Sequence, residues 1–229
     1  MDRFQMALDL LRAGGPVLDG AAAERLREHV RLVQEWNRVV SLVSASDLPH
    51  ILERHTVDSL SLVPVLLHAG VGEGLLLDVG SGGGFPAIPL LIALPGLRAV
   101  LVERSDRKAG FLRKAVAALG LTRAEVRSGE FPVVAKEVRA DAITARAIER
   151  PEKVLPILGE WVKGGAVLLC QAGDPRNVAP KMFHVEHPAP MVHVEHFEDA
   201  WTQAGLRRGT LHIVRANATP STPSESRPE

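Results

Sequence analysis

A short apolar run that empties into a chain of glycines limits what this sequence can become. Leu75-Leu76-Leu77-Asp78-Val79 shows no polar/apolar alternation, which suits a strand covered on both faces. Gly80-Ser81-Gly82-Gly83-Gly84-Phe85 follows at once, and an apolar stretch through Ile88, Leu91 and Ile92 then repeats at helical spacing. A strand, a glycine turn and a helix in that order begin a βαβ unit, the building block of parallel sheets. Glycines at such a turn let the backbone approach a ligand closely and leave amide N–H groups near the helix start. Ligands of open parallel sheets sit at the carboxyl ends of the strands.

The alternation continues. Strands are expected at residues 98–102, 124–127, 140–144 and 166–170, with a closing strand at 210–215. Ser105 is placed to cap a helix bearing Phe111, Leu112, Val116 and Leu119, which Gly120 ends, and another helix is expected over 151–162. The fold class is therefore α/β, a Rossmann-like, doubly wound and mainly parallel sheet. Residues 1–70 read instead as an N-terminal helical extension, in which Leu26, Val30, Val33, Val40 and Val43 form one apolar stripe. A second helix is expected over about 47–67, with Ser46 or Asp47 as its cap and Pro49 in its first turn. Trp36-Asn37 reads as a packing and capping pair. The main domain is expected over 71–215, with 175–208 as an atypical insertion and 216–229, rich in Pro, Ser, Thr and Glu, as a disordered tail.

Composition then removes whole classes. A 46% hydrophobic content supports a core without staples, and the single cysteine, Cys170, cannot form an internal disulfide and suits a reducing compartment. No apolar run is long enough to span a membrane, and the first residues do not read as a secretion signal, so a soluble cytoplasmic protein is expected. Lys and Arg number 27 and Asp and Glu also 27, so bulk charge points to no polyanion, although a local basic patch stays open.

Glu103 ends the second strand, nineteen positions after Gly84. A carboxylate there can accept hydrogen bonds from both hydroxyls of a ribose. Dinucleotide-binding loops share that feature but need glycine at the first, third and sixth positions; counted from Gly80 the sixth is Phe85, and counted from Gly82 it is Ala87. A ligand with adenosine and no diphosphate fits better, and S-adenosylmethionine is the commonest such ligand.

Four stretches now carry a resemblance. They are Trp36-Asn37-Arg38 with Ser41-Leu42-Val43-Ser44, Arg54-His55 with Asp58-Ser59, Asp78 through Pro89, and Thr144-Ala145-Arg146-Ala147. Their order and spacing over roughly residues 25–173 resemble the bacterial small-subunit ribosomal RNA guanine-N7 methyltransferases, the glucose-inhibited division protein B family. The resemblance implies a Rossmann-like S-adenosylmethionine-dependent methyltransferase acting on guanine 527 of 16S rRNA within the small ribosomal subunit, with no stable protein partner. It places Asp78, Gly80, Gly82 and Phe85 at the cofactor, Glu103 on the ribose, Ser128 and Gly129 at the adenine, and Arg146 at the junction of cofactor and substrate as the catalytic residue. Two departures stand out. Gln171-Ala172-Gly173 replaces the family's lysine-glycine, removing a cation able to meet RNA phosphate, and Arg127-Ser128-Gly129-Glu130 departs from its usual adenine segment.

The acceptor chemistry agrees. Methylation at a pyrimidine carbon needs an added cysteine nucleophile, and Cys170 lies alone in an expected buried strand. Exocyclic amines are typically served by an Asn/Asp-Pro-Pro-aromatic loop, where this chain reads Ala145-Arg146-Ala147-Ile148. Guanine N7 carries its own lone pair, so positioning and electrostatics suffice. Arg146 reads either as a surface ion-pair arginine or as a ligand for a carboxylate or RNA. Arg54 and His55 read as part of an RNA-facing surface, although Arg54 is also spaced to pair with Asp58. Lys108 reads as an RNA contact or a solvated helix charge. The repeat His184-Val185-Glu186-His187 and His193-Val194-Glu195-His196 reads as strand-like alternation in a neutral insertion, with zinc binding as the other reading and no metal expected. Two other functions stay open, a methyltransferase for a small molecule or protein and a non-catalytic cofactor-binding ribosome assembly factor.

Overall fold

The computed structural model describes residues 2–16, 18–146, 151–170, 192–196, 199–207 and 211–216. Among them, seven strands share one sheet: β1 (Leu75–Val79), β2 (Arg98–Glu103), β3 (Ala124–Ser128), β4 (Ala142–Ala145), β5 (Val167–Cys170), β6 (Val192–His196) and β7 (His212–Ala216). Their order is β3-β2-β1-β4-β5-β7-β6. The first five run parallel, and β7 lies antiparallel between β5 and β6. The expected doubly wound, mainly parallel sheet is the one found. The chain order reverses at β1, so the crevice beyond the ends of β1 and β4 is the natural ligand position.

Eight α-helices are described: α1 (Arg3–Gly14), α2 (Gly20–Trp36), α3 (Val57–Leu60), α4 (Val63–His68), α5 (Ala87–Ala93), α6 (Asp106–Ala118), α7 (Pro151–Lys163) and α8 (Ala200–Gln203). Alternate residues along the strands feed two cores. Leu76, Ala99 and Leu101 join α1, α2, α5 and α6 on one face, through Phe4, Leu26, Leu90 and Phe111. Leu77, Val79, Val100 and Val102 join α7 on the other, through Leu155, Leu158 and Val162. Every residue of α5 is buried, as a helix wedged between sheet and extension must be. Cys170 is fully buried at the end of β5, as expected for a core residue.

The extension departs from expectation twice. The stripe from Leu26 to Val43 is not one helix, because α2 stops at Trp36. Asn37 then competes with helical bonding: its side-chain oxygen accepts the N–H groups of Leu42 (2.8 Å) and Val43 (2.9 Å), folding the chain back. Trp36 packs on Phe111 at 5.9 Å, the packing half of the expected pair. The single helix over 47–67 is a broken series instead: a 3-10 turn at Leu48–His50, a π turn at Leu52–Thr56, then α3 and α4. Asp47 precedes it without capping it, because its carboxylate accepts from Arg54 and the Ser44 hydroxyl. Residues 199–207 are tied to the extension by Arg207, which donates to Ser61 and pairs with Asp199 at 3.0 Å. The first His-Val-Glu-His copy, Gln171 and residues 217–229 lie outside the described residues, and the second copy falls in β6. No helix among the described residues is long and apolar enough to cross a membrane.

One buried contact joins α2 to the glycine turn. His29, fully buried, donates through Nε2 to the Gly83 carbonyl at 2.8 Å, and its ring lies 4.6 Å from that of Phe85. Burial pulls its pKa down to about 4, so the folded ring is neutral at neutral pH. The unfolded ring takes a proton below about 6.5 that the folded one refuses until about pH 4, so His29 contributes stability above that range that is lost as pH falls through it. Asp78 opposes it, since burial lifts its carboxyl to about 6 and the folded state binds that proton first. The stability difference between wild type and His29→Gln is therefore expected to shrink by about 3 kcal/mol between about pH 7 and pH 4, at 1.36 kcal/mol per pKa unit. Denaturant unfolding at both pH values measures it, and a constant difference contradicts this role. At Gly84, φ is +84° and an added Cβ would stand 2.5 Å from Ile88 Cδ1. Gly84→Ala is expected to cost about 2–4 kcal/mol by the same measurement, from strain and overpacking together.

Candidate functional site

The glycine turn closes over the end of β2 using its own backbone. Gly80 N–H and Ser81 N–H both donate to the Val102 carbonyl, at 2.9 and 3.1 Å, and Gly84 N–H donates to Ser81. Gly82 N–H donates to Glu103 Oε2 at 2.9 Å, and Ser105 N–H to the other oxygen at 2.9 Å. Four amides of the turn itself, those of Gly80, Ser81, Gly82 and Gly84, are thus already used inside the protein. A turn so satisfied offers little to a pyrophosphate, which agrees with the missing sixth glycine. Gly80 itself has φ +77°, and an added Cβ there would meet nothing within 4 Å, so the backbone faces open space.

That space is a cavity of about 740 Å³ at the carboxyl ends of the parallel strands. The glycine turn and Glu103 form one wall and Leu42, Val43 and Ser44 of the Asn37-anchored loop another. The extension adds His55, and α7 adds Lys153, Val154 and Ile157. Glu103 is only 6% exposed, yet each of its oxygens carries one backbone N–H, which leaves acceptor capacity for a neighbouring diol.

Of the residues singled out from sequence, Gly80, Gly82, Phe85, Glu103, Gly129, Arg146, His55 and Lys108 line this cavity. Three do not. Asp78 lies beneath the turn, 1% exposed, with Oδ1 accepting from the Thr144 hydroxyl at 2.7 Å. Ser128 directs its hydroxyl to Asp106, while the neighbouring Gly129 reaches the cavity. Arg54 faces a separate cleft with Arg3, His50 and Glu53, and pairs with Asp47 at 2.7 Å rather than with Asp58 as helical spacing suggested. The π turn explains the difference, since it breaks the i, i+4 alignment that the spacing assumed.

Asp58 serves another partner. Arg146, the residue after β4, sets Nη1 3.3 Å from Asp58 Oδ2 and donates through Nη2 to His55 Nδ1 at 3.0 Å. A guanidinium cannot accept, so His55 receives at Nδ1 and its ring proton belongs on Nε2, which stands 3.5 Å from Asp47 Oδ2. Neither ring nitrogen is then a base at the cavity. The Phe85 ring lies between His29 and His55, at 4.6 and 5.3 Å. Sequence reasoning missed His29, Asp58 as the arginine's partner, and Lys153. The Arg54-His55 and Asp58-Ser59 stretch hinted at Asp58 alone; nothing in the sequence marked His29 or Lys153.

The cavity lining carries Arg104, Lys108, Arg146 and Lys153 against Glu103 and Glu130, an excess of cations in a chain of formal net charge +0. Among the described residues, the cavity is therefore one place where cations gather, as the sequence left open. No group of three or more metal-ligating side chains occurs among the described residues.

The fold is shared with an O-methyltransferase from Bacillus cereus solved in complex with SAH, with a TM-score of 0.54 at 19% identity over 85% of this chain and 91% of that one. Sequence relatives are closer. A ribosomal RNA small subunit methyltransferase G from Stenotrophomonas maltophilia (strain K279a) is 37% identical over 156 residues, covering 68% of this chain and 71% of the relative. The protein of the same name from Neisseria gonorrhoeae (strain NCCP11945) is 38% identical over 167 residues, covering 71% and 75%. The model for the GidB family, described as rRNA small subunit methyltransferase G, matches residues 22–178, which take in the glycine turn, Glu103, the extension's His55 and Asp58, and Arg146. The chain belongs to the GidB family of small-subunit ribosomal RNA methyltransferases.

Proposed function

We propose that this protein transfers a methyl group from S-adenosylmethionine to N7 of a guanine, position 527, in 16S rRNA of the small ribosomal subunit. The observation that carries the reading is the make-up of one cavity: a diol-accepting carboxylate beside the glycine turn, with Arg104, Lys108, Arg146 and Lys153 lining the same space. The residues fit the cofactor. The volume lies within the roughly 300–1,000 Å³ of small-molecule sites, and the bare Gly80 backbone leaves room that any side chain would take. Glu103 would hold the ribose hydroxyls, with Gly80, Gly82 and Phe85 shaping the wall and Gly129 near the adenine. Asp78 acts from behind, by bonding Thr144 across β1 and β4.

The cofactor supplies an electrophilic methyl on a sulfonium. The protein's own part is to position and to exclude. His55 has its lone pair engaged by Arg146, and the remaining acceptor capacity of Glu103 would be taken by the ribose hydroxyls, so neither stands ready to remove a proton. An acceptor with its own unprotonated lone pair needs none, as guanine N7 does not. Arg146 contributes N–H donors at the cavity for a carboxylate or phosphate. Lys108, Arg104 and Lys153 favour a polyanion despite the neutral chain, and electrostatic attraction of this kind weakens with salt. The Lys153 cation stands on the cavity wall whatever Gln171 contributes.

Transfer of label from S-adenosylmethionine to purified small subunits, followed by mass mapping, tests the reading. Label at N7 of one guanine is expected; label confined to small molecules or proteins, or binding without transfer, overturns it. Glu103→Ala is expected to weaken binding of S-adenosylmethionine by about 1.5–3 kcal/mol, the scale of lost charge-assisted hydrogen bonds. Calorimetry measures this, and unchanged affinity removes Glu103 from the ribose.

A further inference from the structure

The guanidinium of Arg146 is oriented by a part of the chain remote in sequence. Its two described partners, His55 and Asp58, both come from the extension, although Arg146 follows a strand of the sheet. Asp58 is 2% exposed and the Arg146 side chain 19%, so the pair sits where desolvation is expensive. A buried ion pair of this kind is poor evidence for stability, because an apolar pair of similar volume serves folding at least as well. What the pair does achieve is direction. With Nη1 toward Asp58 and Nη2 on His55, the orientation of the guanidinium is set by two contacts at the edge of the cavity that Arg146 lines. His55 Nε2 in turn stands 3.5 Å from Asp47 Oδ2, and Asp47 is braced by Arg54 and the Ser44 hydroxyl. The chain Asp58, Arg146, His55, Asp47, Arg54 thus runs from the cavity to the outer cleft.

We infer that Asp58 and His55 are positioning residues for methyl transfer, which clamp the Arg146 guanidinium in its working orientation, rather than residues that contact the RNA. The inference rests on the function proposed above. It makes the extension a component of the active site and shifts His55 from an RNA-facing role to an internal one. Misplacing a positioned group by about 1 Å can cost on the order of a hundredfold in rate without affecting binding.

The experiment uses the full chain with labelled S-adenosylmethionine and purified small subunits. Asp58→Asn keeps shape and an acceptor oxygen but removes the charge. It is expected to lower kcat by about ten- to a hundredfold, measured at a temperature where the variant is folded, with KM for S-adenosylmethionine within about threefold of wild type. Combined with Arg146→Lys, it should lose no more than the worse single variant, because both break one unit. Nitrogen-15 NMR of the His55 ring gives a readout independent of turnover: Nε2 protonated and Nδ1 bare in wild type, a pattern lost in Arg146→Lys. Wild-type kcat in Asp58→Asn, losses that multiply in the double variant, or an unaltered His55 spectrum in Arg146→Lys overturns the inference. Should Asp58→Asn fail to fold, His55→Gln carries the kinetic test, with the same kcat loss expected and wild-type kcat decisive against it. If wild type itself labels no small subunits, the functional reading falls, while the His55 spectra still decide whether the clamp exists.

Discussion

The glycine turn after β1 is held from two sides, and the rest of the site depends on that. From below, the Val102 carbonyl and the Glu103 carboxylate absorb the N–H groups of Gly80, Ser81 and Gly82. From above, the imidazole of His29 reaches down from α2 to the Gly83 carbonyl. Buried backbone polar groups without partners cost more than most side-chain contacts return, so such a turn has little freedom to open. Its glycines meet steric demands, as the space Ile88 takes beside Gly84 makes plain.

Pinning the turn from both sides also decides how the extension relates to the sheet. One continuous hydrophobic cluster takes in Phe4, Leu26 and Val33 together with Leu76, Leu90 and Leu101. The loop anchored by Asn37, the π turn bearing His55, and α3 bearing Asp58 all pack toward the strand ends. The cavity is thereby walled by both the extension and the sheet domain, and its cations come from α6, α7 and the ends of β2 and β4. A chain of formal net charge +0 gathers four cations at one cavity this way.

Much of this was legible in the residues. The apolar runs of β1, β4 and β5, buried throughout or nearly so, announced covered parallel strands, and the boundaries moved by only a residue or two. Glu103 and the turn could be placed because spacing alone brings a strand end next to its neighbour. What could not be read was anything settled by competition between local and distant partners. Asn37 ends a helix whose apolar stripe continues past it, and Asp47 forgoes a cap for Arg54. Asp58 looked like a helix-surface partner for Arg54 and instead neutralises Arg146, far along the sequence. His29 was indistinguishable from any polar residue on α2, since nothing in its neighbours names Gly83 as its target.

The π turn at Leu52–Thr56 winds wider than the α3 helix that follows it, and it sets the angle at which His55 stands relative to Asp58. Each residue of an α-helix advances about 100°, so removing one position here would swing one of the two side chains to another side of the segment. Homologous chains can therefore be expected to preserve the length of this stretch and the residue at His55 while varying around it, with insertions or deletions displaced into the loops on either side.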